Sequence, residues 1–418
     1  MKDNQKGLKV ILKYPGFIKL WLGGLISRLG DSIDAIAFMW MIYQLTDSSL
    51  LMGTIMAVNF LPNVIFGFFS GVLVDRWNKK KIMLFGDIGR GLGVAVIALL
   101  YITGNVDPIY LYIITFINST LETFASTARL SVIPRLITDE DDFLAANGLF
   151  KATSSFAEII GLGLAGVIVG FGGVGMAIII DSVSFFICAG FIFLVHIPAS
   201  QKELDDEQIN LTNFKRDFLE GLRAIFKKPA IRICVFLSFI INLAVSPFNV
   251  LAPIYADNVL GGGPESYSML ALFLSIGMLI GSLLIGQFGK KFGYKTLIVT
   301  GILGMSLGFS GFYLVFNFYL AVLAAFILGV GVSVLSSSVT TVIMSSTPKD
   351  ILGRVGSVMG SLSMAAMPAG TAIAGAIAER FQSHLVFFWI GILLGIVTVL
   401  VAIRGSFTTP SKQDLATA

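Results

Sequence analysis

The sequence predicts an all-α integral membrane protein with twelve transmembrane helices, and three observations support that fold class. Hydrophobic residues make up 56% of the 418 residues and charged residues 13%, about half of the roughly 25% that a soluble protein carries. Apolar stretches of about 20 residues, the length that crosses a bilayer, follow one another along the chain. A charged turn between two of these stretches recurs in weaker form about one half-chain later.

The twelve predicted spans fall six on each side of one long hydrophilic stretch. Their approximate bounds are 17–45, 50–74, 82–103, 108–134, 145–170, 174–197, 231–258, 267–289, 295–316, 318–346, 354–379 and 385–404. This order predicts an N-terminal six-helix bundle within 1–197, a cytoplasmic linker over 198–230, and a C-terminal six-helix bundle with a short tail over 231–418. The first apolar run is too long for a signal-peptide core and is interpreted as a retained helix.

The Lys and Arg residues indicate which loops face the cytoplasm. The loops between successive spans form two alternating sets, one on each side of the membrane. One set is rich in Lys and Arg, as are both termini; its members are 75–81, 129–151, 198–232, 290–295 and 349–354. In the opposite set, Arg380 is the only clear basic residue. Because cytoplasmic loops carry an excess of Lys and Arg, we expect both termini and the linker to be cytoplasmic.

The linker has the pattern of an amphipathic helix. Five apolar residues recur at helical spacing with Lys and Arg between them: Phe214, Phe218, Leu222, Ile225 and Phe226. A helix of this kind lies on a membrane surface. We expect it to join the two halves on the inner surface, with a regulatory docking site as the alternative.

Several function classes have no residues to support them. Cys188 and Cys234 are too few for a disulfide framework or a four-ligand metal site, so we expect neither a metal nor another cofactor. Catalytic triads, HExxH and phosphate-binding loops are missing from the sequence, which argues against an enzyme. The basic residues occur in short loops instead of one continuous face, which argues against nucleic-acid binding.

The first half keeps charged residues deep in its spans. Arg28, Asp31 and Asp34 follow one another at intervals of three residues, which places neighbours about 60° apart on one helix face. At about 1.5 Å per residue, Asp31 lies roughly 21 Å from the start of its span, near the midplane. Glu122 and Glu158 reach similar depths. An ionised group there costs roughly 2.5 kcal/mol or more unless it is paired or hydrated, so all five residues are candidates for proton or substrate coupling.

These residues also have structural interpretations. The spacing of Arg28 and Asp31 also fits a static ion pair. Asp34 has no obvious local partner, which favours binding of a proton or a cationic substrate. Glu122 is equally a candidate for coupling and for structural pairing, since it shares a helix face with three polar residues: Asn118, Ser126 and Arg129.

The remaining polar residues in the spans divide between the two halves. Glu158 and Asp181 are also expected to be structural or to line a vestibule. The second half offers neutral polar groups as candidates for lining a cavity, namely Asn242, Asn249, Ser333, Ser336, Ser337 and Thr340. The ionisable groups are therefore predicted to lie in the N-terminal bundle.

The charged turn reads GVLVDRWNKKK from Gly71 to Lys81. It resembles the signature Gly-x-Leu-x-Asp-Arg-x-Gly-Arg/Lys-Arg/Lys of the major facilitator superfamily. Asn78 replaces the second glycine, and the matching residues are Gly71, Leu73, Asp75, Arg76, Lys79 and Lys80. In the second-half turn, GQFGKKFGYK, Lys290 stands where the acid would be.

The resemblance implies two six-helix bundles, related by a pseudo-twofold axis along the membrane normal, that rock around a central site. In family members the loop acid contacts a basic residue at the inner end of helix 4 and the start of helix 11. Arg129 and the segment around Gly353 match those places. Asp75 is thus expected to act as a cytoplasmic latch, stabilised by the helix dipole, and the latch is expected to be one-sided because of Lys290.

Within the superfamily, the chain resembles bacterial drug and siderophore exporters of the macrolide-efflux kind. The resemblance rests on WLGGLISRLGDSIDAIAFMWMIYQLTDSS, on the run Ser126–Leu136 and on the AANGL that follows it. Antiporters often carry a proline in a helix-5 motif, where this chain has Leu162. The resemblance implies a bacterial plasma-membrane exporter of amphipathic small molecules that works by proton antiport.

We expect Asp34 and Glu122 to exchange the protons, and the protein to be a monomer. The alternatives are export of an endogenous product such as a siderophore or peptide antibiotic, uptake of a nutrient, lipid flipping, and a non-transporting membrane sensor. A sensor should carry an added output domain, whereas the linker and the tail are short.

Overall fold

A computed structural model describes residues 13–137, 139–197, 211–314, 317–348 and 351–404. In these ranges the protein consists of α-helices, one 3₁₀ turn and short connections. The all-α prediction is confirmed. Within the described residues, each of the twelve predicted spans lies mostly on helix.

The first half contains α1 (Pro15–Thr46), α2 (Ser49–Arg76), α3 (Lys79–Ile102), α4 (Pro108–Leu136) and α5 (Glu140–Phe193). The linker contributes α6 (Leu211–Lys227). The second half contains α7 (Pro229–Val245), α8 (Phe248–Asn258), α9 (Gly263–Phe288), a 3₁₀ turn (Gly289–Lys291), α10 (Tyr294–Leu314), α11 (Phe318–Ser346), α12 (Leu352–Ala378) and α13 (Ser383–Arg404).

At two breaks in the backbone, the helices found and the predicted spans do not correspond one to one. Gly173 lies inside α5 with φ 76° and ψ 167°, so α5 consists of two arms that correspond to the predicted fifth and sixth spans. The predicted seventh span is found as one membrane-long segment, Pro229–Asn258, but a break at Ser246 and Pro247 divides it into α7 and α8. Pro247 lacks the N–H that would continue the ladder, and its ring disfavours an uninterrupted helix.

Nine helical segments of the described chain are long enough and apolar enough to cross a membrane. One of them, Asp142–Phe193, contains both arms of α5. Helices α1 and α4 are outside this set, although their 32 and 29 residues exceed the length of a bilayer span. Both helices carry charged residues in their interiors.

The chain divides into two compact units. Among the described residues, 13–41 and 58–197 form the first unit, and 42–57 and 211–404 form the second. The first unit packs a hydrophobic core around Phe17, Val132 and Ile192, all buried. The second unit has an aromatic core in which the rings of Phe312 and Phe387 lie 4.9 Å apart.

Helix α6 packs against α12 within the second unit. Glu220 and Arg354 form an ion pair of 2.9 Å, and Ile225 is buried. A Cβ on Gly221 would lie 2.7 Å from the carbonyl oxygen of Arg354, so only a glycine fits this crossing without a shift. A helix occupies Leu211–Lys227, within the predicted linker. Residues 198–210 and the side chains of Phe214 and Phe218 lie outside the described part.

Candidate functional site

Four helices of the first unit bring charged side chains together in the interior of the bundle. We define the ionic network as Arg28, Asp31 and Asp34 on α1, Asp87 and Arg90 on α3, Glu122 and Arg129 on α4, and Glu158 and Asp181 on α5. In the described spans of the second unit, by contrast, charged residues occur only near helix ends.

Arg90 is the centre of the network. Its guanidinium donates to Asp31 Oδ1 at 2.7 Å and to Glu122 Oε2, so it joins α1, α3 and α4. The guanidinium carbon also lies 4.1 Å from the centroid of the Phe185 ring on α5. Contacts to three neighbouring helices fix Arg90. The side chain of Glu122 remains 43% exposed.

Arg28 and Glu158 form a second ion pair at 2.6 Å, with side-chain exposures of 45% and 36%. The alternative of an Arg28–Asp31 pair within α1 is therefore not the arrangement found. Arg28 reaches across to α5, and Asp31 pairs with Arg90 instead. The three-residue spacing placed Arg28 and Asp31 on one face, but both side chains find their partners on neighbouring helices.

Arg129 and Asp87 form the most deeply buried pair, with 3.2 Å between Arg129 Nη2 and Asp87 Oδ2. The Asp87 side chain is fully buried and that of Arg129 is 14% exposed. A buried carboxylate needs a positive partner, because an uncompensated charge is strongly unfavourable in the interior. The resemblance had implied that Arg129 contacts Asp75, whereas in the described chain its carboxylate partner is Asp87.

Asp34 and Asp181 complete the network without an arginine of their own. Asp34 lies within electrostatic reach of Asp31 and Arg90, and Asp181 within reach of the same two residues and of Asp34. Asp181 is buried and is close to Ser184, whose hydroxyl donates to its backbone carbonyl. No ion pair to either carboxyl is found among the described residues.

Close helix crossings bring these side chains together. On α5, a Cβ at Gly161 would lie 2.6 Å from Ser32 Cβ and 2.9 Å from the Leu29 carbonyl oxygen on α1. On α3, a Cβ at Gly89 would lie 2.6 Å from Leu121 on α4. The glycines allow the backbones to approach, so that Arg90 can reach both Asp31 and Glu122.

The loop motif is built around the start of α3. Asn78 is the N-cap with φ −65°, and its side chain accepts a hydrogen bond from the Lys81 N–H at 3.0 Å. The residue that departs from the family pattern thus satisfies a helix-terminal donor, as Asn commonly does. Its negative φ also explains why glycine is not required here.

The basic residues of the motif bond to backbone carbonyls. Lys80 Nζ donates to the carbonyls of Phe193 at 2.7 Å and Val195 at 2.8 Å, at the end of α5. Lys79 is buried and donates to the carbonyl of Asp75 at 3.0 Å. The Asp75 residue is exposed and Arg76 ends α2. A cation at a helix C-terminus is favourable, so Lys80 ties α3 to α5.

The second-half candidates have local bonds and packing roles. The Asn242 amide donates to the carbonyl of Ser238 within α7, and Asn249 is half-buried in α8. Ser333 is buried where α11 crosses α9 at Gly281, and Ser337 accepts, through its carbonyl, from the Thr341 hydroxyl. Among the described residues, no group of three or more His, Cys, Asp or Glu side chains is placed to hold a metal ion.

Two central residues were not among the sequence-based candidates. Asp87 and Arg90 lie in the predicted span 82–103, three residues apart. Both are charged residues inside a span, where any charge is expensive, and this signal could have identified them. The run GDIGRGLG around them also carries the glycines that bring α3 and α4 together.

The family profile described as transmembrane secretion effector matches residues 11–417. The chain belongs to this family of the major facilitator superfamily. It is therefore a multi-pass membrane transporter and not an enzyme. The predicted superfamily and fold class are confirmed.

Curated relatives of this family member cover nearly the whole chain at modest identity. Macrolide efflux protein A of Streptococcus pyogenes is 25% identical over 92% of this chain and 94% of its own length. The multidrug efflux pump Tap of Mycolicibacterium fortuitum is 22% identical over 90% of this chain and 93% of its own. The enterobactin exporter EntS of Shigella boydii is 23% identical over 97% of this chain and 96% of its own length.

Solved structures share the fold. The nucleoside transporter NupG superposes with a TM-score of 0.78 at 14% identity, covering 92% of this chain and 99% of NupG. A bacterial homologue of the lysosomal transporter Spinster gives a TM-score of 0.70 at 13% identity, covering 93% of this chain and 94% of its own.

Proposed function

We propose that the protein is a secondary active exporter of amphipathic small molecules, driven by proton antiport, with the ionic network as its proton-binding site. The observation that carries the proposal is the charge balance of the network. Six carboxyl groups meet only three guanidinium groups on α1, α3, α4 and α5. Because three excess carboxylates would be costly at membrane depth, the network is expected to bind protons or a cationic substrate.

Arg90 supplies a two-state element for the proposed cycle. When Asp31 and Glu122 are both ionised, they share one guanidinium. When one of them binds a proton, Arg90 forms an ion pair with the other carboxylate only. Glu122 has the more exposed side chain of the two, 43% against 26%, and is the better placed to exchange a proton with water.

Protons in this scheme enter from the outside and leave to the cytoplasm, while substrate moves outward. Asp34, which lies near Asp31 and Arg90, is the second proton site. Protonation of Asp34 and Glu122 removes two of the excess negative charges. It therefore favours the return of the substrate-free carrier from the outward-open to the inward-open state. Binding of substrate on the inner side then requires that the protons have been released.

The relatives support export as the direction. The matches to a macrolide efflux protein and to a multidrug efflux pump cover 92% and 90% of the chain. We place both termini in the cytoplasm, because the basic loops define that side. Asp75 remains the proposed cytoplasmic latch, and a monomer is proposed as the working unit.

A siderophore or another endogenous product is the second candidate substrate. The observation that favours it is the likeness to an enterobactin exporter over 97% of this chain. A toxicity panel in a pump-deficient bacterial host separates the two candidates. Resistance to added compounds supports drug efflux, whereas secretion of an endogenous chelator without resistance supports the second candidate.

The proton assignment is tested in sealed proteoliposomes that transport a fluorescent amphiphilic compound found in that panel. We expect Asp34→Asn and Glu122→Gln to lower pH-driven transport at least tenfold, because each removes a proton site. The exposed Glu265 at the start of α9 provides the matched control, Glu265→Gln, which should keep the wild-type rate. Full pH-driven transport by both network variants would rule out the assignment.

A further inference from the structure

The second unit contains an apolar groove that lies outside the ionic network. It has a volume of about 460 Å³ and lies between α7, α12 and α13, within the range of small-molecule sites in proteins. All of its lining residues are apolar or glycine; they include Ile240, Leu243, Ile373, Ile377, Trp389 and Leu393. Ile373, Trp389 and Leu393 are each more than half exposed, so the groove opens sideways.

The length of the groove matches one leaflet of a bilayer. Its lining residues on α13 run from Val386 to Val397, about 16 Å at 1.5 Å per residue. Half of a hydrocarbon core about 30 Å thick is about 15 Å. The groove is thus deep enough for one acyl chain that enters from the surface and ends near the midplane.

A single positive charge lies at the surface end of the groove. Arg380 is exposed in the turn between α12 and α13, and its neighbours Ile377 and Phe381 both line the groove. The adjacent Glu379 does not neutralise it, because its carboxylate accepts from the Leu50 N–H at 3.0 Å and from the Ser48 hydroxyl. No ion pair to Arg380 is found in the described chain.

We propose that this groove is a binding site for an anionic phospholipid. One acyl chain lies against Ile373 and Leu393, and Arg380 contacts the phosphate. Trp389, about 9 Å along α13 from its first residue, fits the position that Trp prefers near the membrane–water interface. The site binds a lipid of the leaflet on the Arg380 side.

The test uses the full chain in detergent with spin-labelled phosphatidylglycerol or phosphatidylcholine. Wild type should immobilise phosphatidylglycerol in preference to phosphatidylcholine. Arg380→Gln should lower that preference about fivefold, the effect of one surface charge on an anionic lipid. Lys295→Gln removes an exposed charge at the start of α10 and should leave the preference unchanged.

Filling the groove tests the acyl-chain contact separately. Ile373→Trp adds bulk inside it and should reduce the immobilised lipid by about one per protein. Leu400→Trp makes an equal change on an exposed position of α13 outside the lining and should not.

Three results would overturn the proposal. One is an unchanged lipid preference in Arg380→Gln, and another is an equal loss in both tryptophan variants. The third is a different occupant, seen as release of the bound lipid by transported substrate or as a dimer that Ile373→Trp dissociates. Monodisperse elution of each variant confirms its fold.

Discussion

Arg90 and Arg28 show how differently two arginines of one network are held. Arg90 has an 11% exposed side chain and meets two carboxylates and an aromatic face. Arg28 is 45% exposed and meets one carboxylate. Removing one partner of a buried ion pair leaves the other charge uncompensated in the interior. A solvent-exposed ion pair, by contrast, contributes little to the free energy of unfolding.

The two arginines can be compared by the same substitution. We expect Arg90→Gln to destabilise the protein by about 3 kcal/mol, because Asp31 and Glu122 both lose their cation. Arg28→Gln should cost no more than about 1 kcal/mol, since both side chains of the Arg28–Glu158 pair are partly exposed and only one carboxylate loses its cation. Thermal unfolding in detergent measures both variants. Equal losses would contradict the central position of Arg90.

The contact between α1 and α5 depends on the absence of a side chain at one position. Gly161 faces Ser32 and the Leu29 carbonyl at distances that no Cβ tolerates without movement of the backbone. Gly148, on the same helix, is surrounded by open space, since nothing lies within 4 Å of the place that a Cβ would occupy. Since α1 carries Asp31 and Asp34, the position of the network depends on the Gly161 crossing.

The two glycines predict opposite effects of alanine. Gly161→Ala should destabilise the protein by about 1–3 kcal/mol through overpacking and lower transport. Gly148→Ala should be neutral or stabilise it by up to about 1 kcal/mol, because alanine favours the helix more than glycine does. Unfolding and transport are measured on both variants. A stabilising Gly161→Ala would show that the helices separate easily.

Charge is distributed unequally along the chain. The ionic network belongs to the first unit, and the described spans of the second unit keep their charges near helix ends. The loops are unequal as well, since Lys and Arg collect on one side of the predicted topology. This second asymmetry is the basis of the proposed orientation.

Reporter fusions test the orientation. Green fluorescent protein fused after Ala418 should fluoresce, and alkaline phosphatase at the same place should be inactive, because that end is expected in the cytoplasm. Phosphatase inserted at Gly104, between α3 and α4, should be active. The opposite pattern would reverse the direction assigned to proton and substrate movement.

Much of the architecture could be predicted from the sequence, because bilayer thickness fixes the length of a span. The break at Gly173 fell between two predicted spans. Pro247 was visible in the sequence as well, but the apolar run around it continues on both sides, so the break inside this single span was not predicted.

The pairing of the charges was harder to predict. Spacing along α1 shows which side chains share a face, but not which neighbouring helix each of them meets. Arg28 and Asp31 illustrate this, since their partners are 130 and 59 residues away. The crossings between these helices depend on glycines that let two backbones approach closely. The periodicity of a single helix does not show which glycines do so.

Asn78 has a consequence for how relatives are recognised. Its role is to end a turn and cap α3, a task that Ser, Thr or Asp can also perform. A search pattern that demands glycine at this place would pass over such chains. A pattern written for the cap, with any of these residues before the paired lysines, describes the physical requirement and reaches more distant members.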